Sequence, residues 1–230
     1  LQVNQVALAA NYAYLLGYAG SGYTRLIVMD VSDPTAPTPA AVYDMGATGN
    51  DLAVVGNYVY VASVQAGLLV FDLSNAGFLP EEGYYYPPGQ AQKVVVSGAY
   101  AYVTVGNKGI HIVDVTSPTT PTERSAYQPP DTKEIKDAAI VGNYLYALRQ
   151  DQRDAFDLRI VDISNPVTPL EVGSYPITQT RYPRALALIG DYVYLGGDDR
   201  MEIVDVADRA HPSRAGFYNL QGWAYDMAAA

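Results

Sequence analysis

Residues 158–164 read Leu-Arg-Ile-Val-Asp-Ile-Ser, and this short stretch decides the fold because it returns along the whole chain. Related stretches occupy residues 26–32, 69–74, 110–116 and 201–207. Their aspartates lie 42, 42, 48 and 43 residues apart: Asp30, Asp72, Asp114, Asp162 and Asp205. Self-similarity at such a period indicates one small supersecondary unit repeated along the chain.

Two patterns of tyrosines recur with the same period as the aspartates. A pair at i and i+2 follows a tight turn in every repeat, as in Tyr58 and Tyr60, and a further tyrosine follows each aspartate by 13 residues, as in Tyr85. Residues at i and i+2 share one face of a strand, so we expect the pairs to pack against the neighbouring repeat with each hydroxyl near a polar partner. An aromatic platform for a sugar is the alternative interpretation.

Each repeat is predicted to contain four short strands. In the second repeat these are Asp51–Val55, Tyr58–Ala62, Leu68–Leu73 and Gly83–Tyr86, with a tight turn at Gly56 and Asn57. Four strands in 42 to 48 residues are typical of a β-propeller blade. The sequence therefore predicts an all-β fold, a single β-propeller domain of five blades plus the first strand of a sixth. The predicted repeats are approximately 3–46, 47–89, 90–131, 132–180 and 181–221, with the additional strand in 222–230.

The ending Val-Asp-Val-Ser-x-Pro resembles the LVIVD-repeat family of bacterial and archaeal propellers, and the resemblance covers almost the whole chain. Members are mostly exported or surface-associated proteins. The resemblance implies a propeller that is exported from a prokaryotic cell to its surface or the extracellular space. We also expect the chain to be a mature or trimmed piece. It is then either part of a longer propeller, which we favour, or a ring that residues 226–229 close by pairing elsewhere.

The composition of the chain excludes several classes of functional site and disfavours several classes of partner. The chain has 230 residues, no cysteine, and 14 Lys and Arg against 24 Asp and Glu, for a net charge of −10. Disulfide scaffolds, thiolate zinc sites and cysteine nucleophiles are excluded. The negative charge disfavours nucleic acid and anionic membranes as partners, and no apolar run is long enough to predict membrane insertion.

The recurring aspartates have a predicted structural role. Each ends a strand just before a turn, where its carboxylate can accept hydrogen bonds from the following backbone amides. Five copies distributed around a ring cannot converge on one ion. We therefore do not assign them to a metal site.

Polar residues at the start of each innermost strand are predicted to line the mouth of the propeller channel. The candidates for a small ligand are Gln5, Asn50, Asp51, Lys93, Asp137, Arg184 and Asp226. Asp51, Asp137 and Asp226 could hold Ca²⁺ through oxygen ligands, and no other cofactor is expected. The alternative is a solvated rim whose opposite charges neutralise one another.

Variable loops on the same face suggest a surface for a partner. They are residues 17–24, the polar loop 149–154 and the tyrosine- and proline-rich stretch 84–89. Function often resides on variable loops that a rigid scaffold holds. The partner-binding candidates are Tyr84, Tyr86, Arg149, Asp151 and Arg153.

The sequence favours a non-enzymatic binding or scaffold protein that presents this face to a protein or glycan partner. His111 and His211 have no evident serine and acid partners, and Glu81 and Glu82 point to opposite faces of a strand, so they cannot flank one glycosidic bond. Two alternatives remain: an enzyme that uses Asp51, Lys93, Asp137 and Arg184 at the channel mouth, and a structural module of a larger extracellular assembly.

Overall fold

The computed structural model describes residues 2–18, 23–74, 81–129, 131, 133–151 and 154–227. Within them, twenty strands form five antiparallel sheets, each built from four strands that follow one another along the chain. The first two sheets contain β1 (Gln2–Ala9), β2 (Tyr12–Tyr18), β3 (Thr24–Asp30), β4 (Thr38–Asp44), β5 (Gly49–Val55), β6 (Tyr58–Ser63), β7 (Gly67–Asp72) and β8 (Glu81–Tyr85). The third and fourth contain β9 (Lys93–Ser97), β10 (Tyr100–Thr104), β11 (Ile110–Asp114), β12 (Thr122–Tyr127), β13 (Glu134–Val141), β14 (Tyr144–Gln150), β15 (Phe156–Asp162) and β16 (Leu170–Ile177). The fifth contains β17 (Ala185–Ile189), β18 (Tyr192–Gly196), β19 (Arg200–Asp205) and β20 (Ser213–Asn219).

The predicted fold class is confirmed at the level of five all-β, four-stranded sheets, which we call blades. The strands of the second blade differ from the predicted ones by at most two residues at either end. The only described helix is one 3₁₀ turn at Gly106–Lys108, and no described helix is long and apolar enough to cross a membrane.

The predicted first strand of a sixth blade is wrong over residues 222–227, which form no strand. This segment turns back onto the fifth blade instead: the Ala224 amide donates a 3.0 Å hydrogen bond to the Gly197 carbonyl, and the Met227 side chain covers Gly196.

A tight hairpin joins the first two strands of every blade. Gly56, Gly98, Gly142 and Gly190 occupy this turn with φ between 57° and 59°, a left-handed conformation that favours glycine. In the first blade Ala10 holds the same place at φ 50°. The turn geometry is thus kept even where the sequence lacks glycine.

The predicted structural role of the repeated aspartates is confirmed. In all five blades the aspartate Oδ1 accepts a hydrogen bond of 2.7 to 2.9 Å from the amide two residues later. Asp114 also accepts hydrogen bonds from the Thr116 hydroxyl and Arg124. Together these donors hold the pKa of Asp114 at about 2. The carboxylates therefore end their strands and fix the turns.

The chain divides into two compact units. One comprises the residues up to Val105 with Ile110–Arg124, and the other comprises Gly106–Gly109 and the residues from Ser125 onward. The prediction of a single domain stays a prediction.

Within each unit, the core lies between consecutive blades. In the first unit, Tyr14 packs with Val59 and Phe71, and Tyr60 packs with Val94 and Val103. In the second unit, Tyr146 packs with Val193 and Val204. The second tyrosine of the pair is buried in the first four blades, at Tyr14, Tyr60, Tyr102 and Tyr146. The predicted inter-blade packing is confirmed for these cores.

Candidate functional site

Asp51 and Asp137 serve the same structural purpose in their own units. Each follows a register shift in the innermost strand of its blade, and a bulge of this kind turns a side chain away from the regular direction. The Asp51 carboxylate accepts a 2.9 Å hydrogen bond from the Val94 amide, and the Asp137 carboxylate accepts a 2.8 Å bond from the Leu186 amide. Both aspartates are buried and join their blade to the next one.

The other predicted channel-mouth residues are distributed over both units. In the first unit, Asn50 donates a 3.0 Å hydrogen bond to the Ala91 carbonyl, Lys93 Nζ lies 3.8 Å from Asp51 Oδ1, and Gln5 is half-buried after its own register shift. In the second unit, Arg184 and Asp226 are exposed. Among the described residues, no three His, Cys, Asp or Glu side chains are arranged to hold a metal ion. The calcium site stays a prediction.

The predicted partner-binding residues fall into two groups. Tyr84 and Tyr86 are exposed near the end of β8, with ring centroids 5.1 Å apart in an edge-to-face contact. Arg149, predicted in a loop, is instead the last but one residue of β14 and is completely buried. Asp151 is half-buried, and Arg153 lies outside the described residues.

Arg149 is the centre of a buried charge network that sequence reasoning missed. Its guanidinium donates to Asp157 at 2.8 and 2.9 Å and to Asp131 at 2.8 and 3.3 Å, and Lys133 Nζ reaches Asp157 at 2.7 Å. Burial alone would raise the pKa of Asp157, but the hydrogen bonds from Arg149 and Lys133 outweigh it and lower that pKa. A buried charge needs such partners, so Arg149 has a structural role.

A second feature that the sequence did not reveal is a tyrosine-to-carboxylate contact between neighbouring blades. Tyr43 lies 3.4 Å from Glu81, and Tyr85 hydrogen-bonds Glu123 on the next outer strand. Tyr127 hydrogen-bonds Glu171 in the same way. Burial, followed by the adjacent glutamate, raises the pKa of all three tyrosines.

Two of the glutamates that accept these hydrogen bonds, Glu123 and Glu171, also contact a basic side chain. His111 Nδ1 lies 3.2 Å from Glu123 and 3.0 Å from the Tyr85 hydroxyl, and Arg159 forms an ion pair with Glu171. Arg159 holds the same position in its blade as His111. We therefore assign His111 to an inter-blade contact and not to catalysis. The 38-residue spacing of Tyr43 from Glu81 and of Tyr85 from Glu123 was the available sequence signal.

The second unit contains a cleft of about 340 Å³, which lies between the fourth and fifth blades of the chain. Its lining consists of Lys136, Gln150, Phe156, Tyr182, Pro183 and Arg184. We call it the Phe156–Tyr182 cleft because these two rings meet edge to face, at 6.2 Å and 87°, and also line a smaller depression beside it. An aromatic wall with a few polar groups is typical of small-ligand sites.

Backbone strain is concentrated beside this cleft. Tyr182 has φ 45° and Asp154 has φ 58°, two of the three positive values found for described non-glycine residues. Such conformations cost on the order of 1–3 kcal/mol each and often occur at ligand sites. The Tyr182 hydroxyl lies 3.3 Å from Asp154 Oδ2, and Gln150 donates a 2.6 Å bond to Asp154 Oδ1. These bonds hold the Tyr182 ring against the cleft.

Comparison with known proteins identifies the repeat. The model of the LVIVD repeat matches residues 2–45, 46–85, 88–128, 134–176 and 180–220. This chain belongs to the LVIVD-repeat family. No curated protein matches the LVIVD-repeat chain in sequence.

Solved structures share the fold of the LVIVD-repeat chain at low sequence identity. A functionally unknown protein from Desulfotomaculum acetoxidans DSM 771 is 9% identical with a TM-score of 0.76, over 95% of this chain and 70% of that one. A "putative 6-phosphogluconolactonase" from Bacteroides uniformis ATCC 8492 is 14% identical with a TM-score of 0.75, over 94% and 73%. Sqt1 of Chaetomium thermophilum, bound to the N-terminus of ribosomal protein L10, is 13% identical with a TM-score of 0.69, over 96% and 64%. These similarities show a β-propeller-like fold and carry no function by themselves.

Proposed function

We propose that this LVIVD-repeat chain is a non-enzymatic binding module that holds a saccharide in the Phe156–Tyr182 cleft. The observation that carries the proposal is the Tyr182 ring, which a strained backbone and the bond to Asp154 hold against a cleft lined by an amide and two basic groups. An aromatic face packs against the apolar face of a sugar ring, while amide and basic groups bind its hydroxyls. The cleft volume lies at the small end of the range of about 300–1,000 Å³ for ligand sites.

The positions of the predicted catalytic groups support binding over catalysis. Asp51 and Asp137 are buried and accept backbone hydrogen bonds, so proton transfer by either would give up a contact between blades. Lys93 lies beside Asp51. We extend the proposal to the site of action, the prokaryotic cell surface or the extracellular space, where glycans are available.

The test is calorimetric titration of the whole chain with neutral and acidic mono- and disaccharides. Tyr182→Ala removes the ring, and we expect it to weaken binding at least tenfold. Tyr218→Ala is the matched control, because Tyr218 is an exposed tyrosine of the same unit outside the cleft lining. Equal binding by both variants would refute the proposal.

A protein partner is a second candidate, favoured by the exposed pair Tyr84 and Tyr86. Tyr84 lies in β8 and Tyr86 follows it; β8 is the last strand of its sheet, and an edge strand can pair with an extended segment of another chain. Pro87 and Pro88 follow directly. A Tyr84→Ala, Tyr86→Ala double variant that keeps saccharide binding but loses a partner protein in co-purification would support this candidate, and unchanged co-purification would contradict it.

A further inference from the structure

The charged side chains in the described lining of the Phe156–Tyr182 cleft are cationic, whereas the whole chain is acidic. Lys136 and Arg184 line the cleft, and none of the described residues of its lining is a carboxylate, although acidic residues outnumber basic ones 24 to 14 in the whole sequence. The nearby Asp154 carboxylate is already hydrogen-bonded by Gln150 and Tyr182. The cleft therefore offers two cationic donors, Lys136 and Arg184, to a ligand.

The two cations form ion pairs that are partly exposed to solvent. Arg184 Nε lies 3.5 Å from Asp198 Oδ1, at the limit of a hydrogen bond, and its side chain is half-exposed. Lys136 Nζ pairs with Glu134 at 2.7 Å on the partly exposed rim. Exposed pairs of this kind contribute little to stability, so both groups can turn to an incoming anion at low cost.

Arg149 shows the contrast within the same unit. Its side chain is completely buried, and its guanidinium is engaged by both Asp131 and Asp157. Binding an anion there would break a buried network. Arg184 is the arginine of this site whose contacts permit exchange, and it can bind a carboxylate or phosphate with two parallel hydrogen bonds.

We propose that the ligand of the Phe156–Tyr182 cleft is an anionic sugar, one that bears a carboxylate or a phosphate. The sugar ring packs on Tyr182 and the anionic group pairs with Arg184 and Lys136. This inference rests on the proposed saccharide-binding function and names the class of saccharide. It requires both parts of the ligand, the ring and the charge.

The experiment titrates the full chain with four probes: glucuronic acid, glucose 6-phosphate, glucose and inorganic phosphate. We expect either anionic sugar to bind at least tenfold more tightly than glucose, which corresponds to about 1.4 kcal/mol. The preferred anionic sugar identifies the carboxylate or the phosphate as the natural group. The preference should shrink as salt rises, because salt screens exposed charges.

Variants separate charge from folding. Arg184→Gln and Lys136→Gln should each weaken binding of the anionic sugar at least threefold more than they weaken binding of glucose, so that the preference for the anionic sugar falls by that factor. Arg25→Gln in the first unit is the matched control, since it removes the same charge from an exposed ion pair with Asp44. It should leave all four affinities unchanged.

The outcomes that overturn the inference are distinct from failure of the proposed function. Equal affinity for glucose and the anionic sugars, lost in Tyr182→Ala, refutes the anionic class and keeps the saccharide site. Inorganic phosphate that binds as tightly as glucose 6-phosphate refutes the role of the sugar ring. Both proposals are refuted if no neutral or acidic saccharide binds, including glucuronic acid, glucose 6-phosphate and glucose.

Discussion

Gly173→Ala tests how closely consecutive blades pack. Gly173 lies in β16, and a Cβ at this position would fall well inside van der Waals contact with the Arg209 carbonyl oxygen, in the turn after β19. Gly83 meets the Pro118 carbonyl in the same way, and the Ser125 hydroxyl reaches the Pro166 carbonyl at 2.5 Å. The outer strand of one blade thus rests on a turn of the next.

The loss of stability expected for Gly173→Ala depends on how easily the turn that carries Arg209 can move. The turn that carries Arg209 is held by hydrogen bonds from the Ala210 and His211 amides to Asp208, so its carbonyl cannot retreat freely. Overpacking of this kind typically costs about 1–3 kcal/mol, and we expect Gly173→Ala to fall near about 3 kcal/mol.

Gly216→Ala is the matched control. Gly216 holds the equivalent place in β20, opposite Ile203 as Gly173 is opposite Ile160, and nothing lies within 4 Å of a Cβ built there. Alanine in an open strand position should stabilise the protein by about 0.5–1 kcal/mol relative to glycine.

Urea unfolding of the two variants, followed by far-ultraviolet circular dichroism, measures the difference. Both variants make the same chemical change, so effects on the unfolded chain largely cancel. We expect the midpoints to differ by the equivalent of about 3–4 kcal/mol. A difference below about 1 kcal/mol, or the opposite order, would refute the proposed packing of β16 on the Arg209 turn.

Three further predictions concern the polar contacts that join strands and blades. Because the pKa of Asp114 lies at about 2 in the folded protein and near 3.8 when unfolded, its stabilising effect is complete above pH 4 and is lost as the pH falls from about 4 to 2. Asp114→Asn should therefore show a weaker acid dependence of the unfolding free energy over that interval, and parallel curves would contradict this. Asp51→Ala leaves a buried backbone amide of the next blade without its acceptor, so urea unfolding should show a loss of about 1–3 kcal/mol; a loss below about 0.5 kcal/mol would show that water replaces the carboxylate. Tyr127→Phe removes a buried hydroxyl that donates to Glu171 and should cost about 1 kcal/mol in the same assay. Tyr218→Phe, at the equivalent but exposed position, should be neutral, and equal losses in the two variants would argue against an inter-blade contact.

Much of the fold is predictable from this sequence because the information is local and repeated. A strand that ends in Asp before a turn, and a Gly-Asn hairpin before two alternating tyrosines, are determined by neighbouring residues. Because the pattern occurs five times, strands that are ambiguous in one repeat can be assigned from the other four. Residues 222–227 match the innermost strand of the other repeats in sequence, yet they form no strand. Their contacts with Gly196 and Gly197 decide their conformation instead.

The site was predicted less well, because its side chains come from different blades. Arg184 was recognised as a polar residue at the start of an innermost strand, and 149–154 as a functional loop. Their meeting with Phe156 and Tyr182 in one cleft depends on how the fourth blade packs on the fifth. Arg149 was assigned to a binding surface because it was placed in the variable polar loop 149–154, whereas it lies in β14 and Asp131 and Asp157 compensate its charge inside the protein.

The sequence by itself determined the strands, the turns, the family and the position of each blade along the chain, because these depend on contacts within about 45 residues. Only the tertiary structure decided which charged groups are structural and which line a cleft. An aspartate that accepts a backbone amide of the next blade and an arginine at the rim of a cleft look alike in a list of polar residues. The difference lies in burial and in hydrogen-bond partners: the amides that donate to Asp51 and Asp137 belong to the next blade, 43 and 49 residues away.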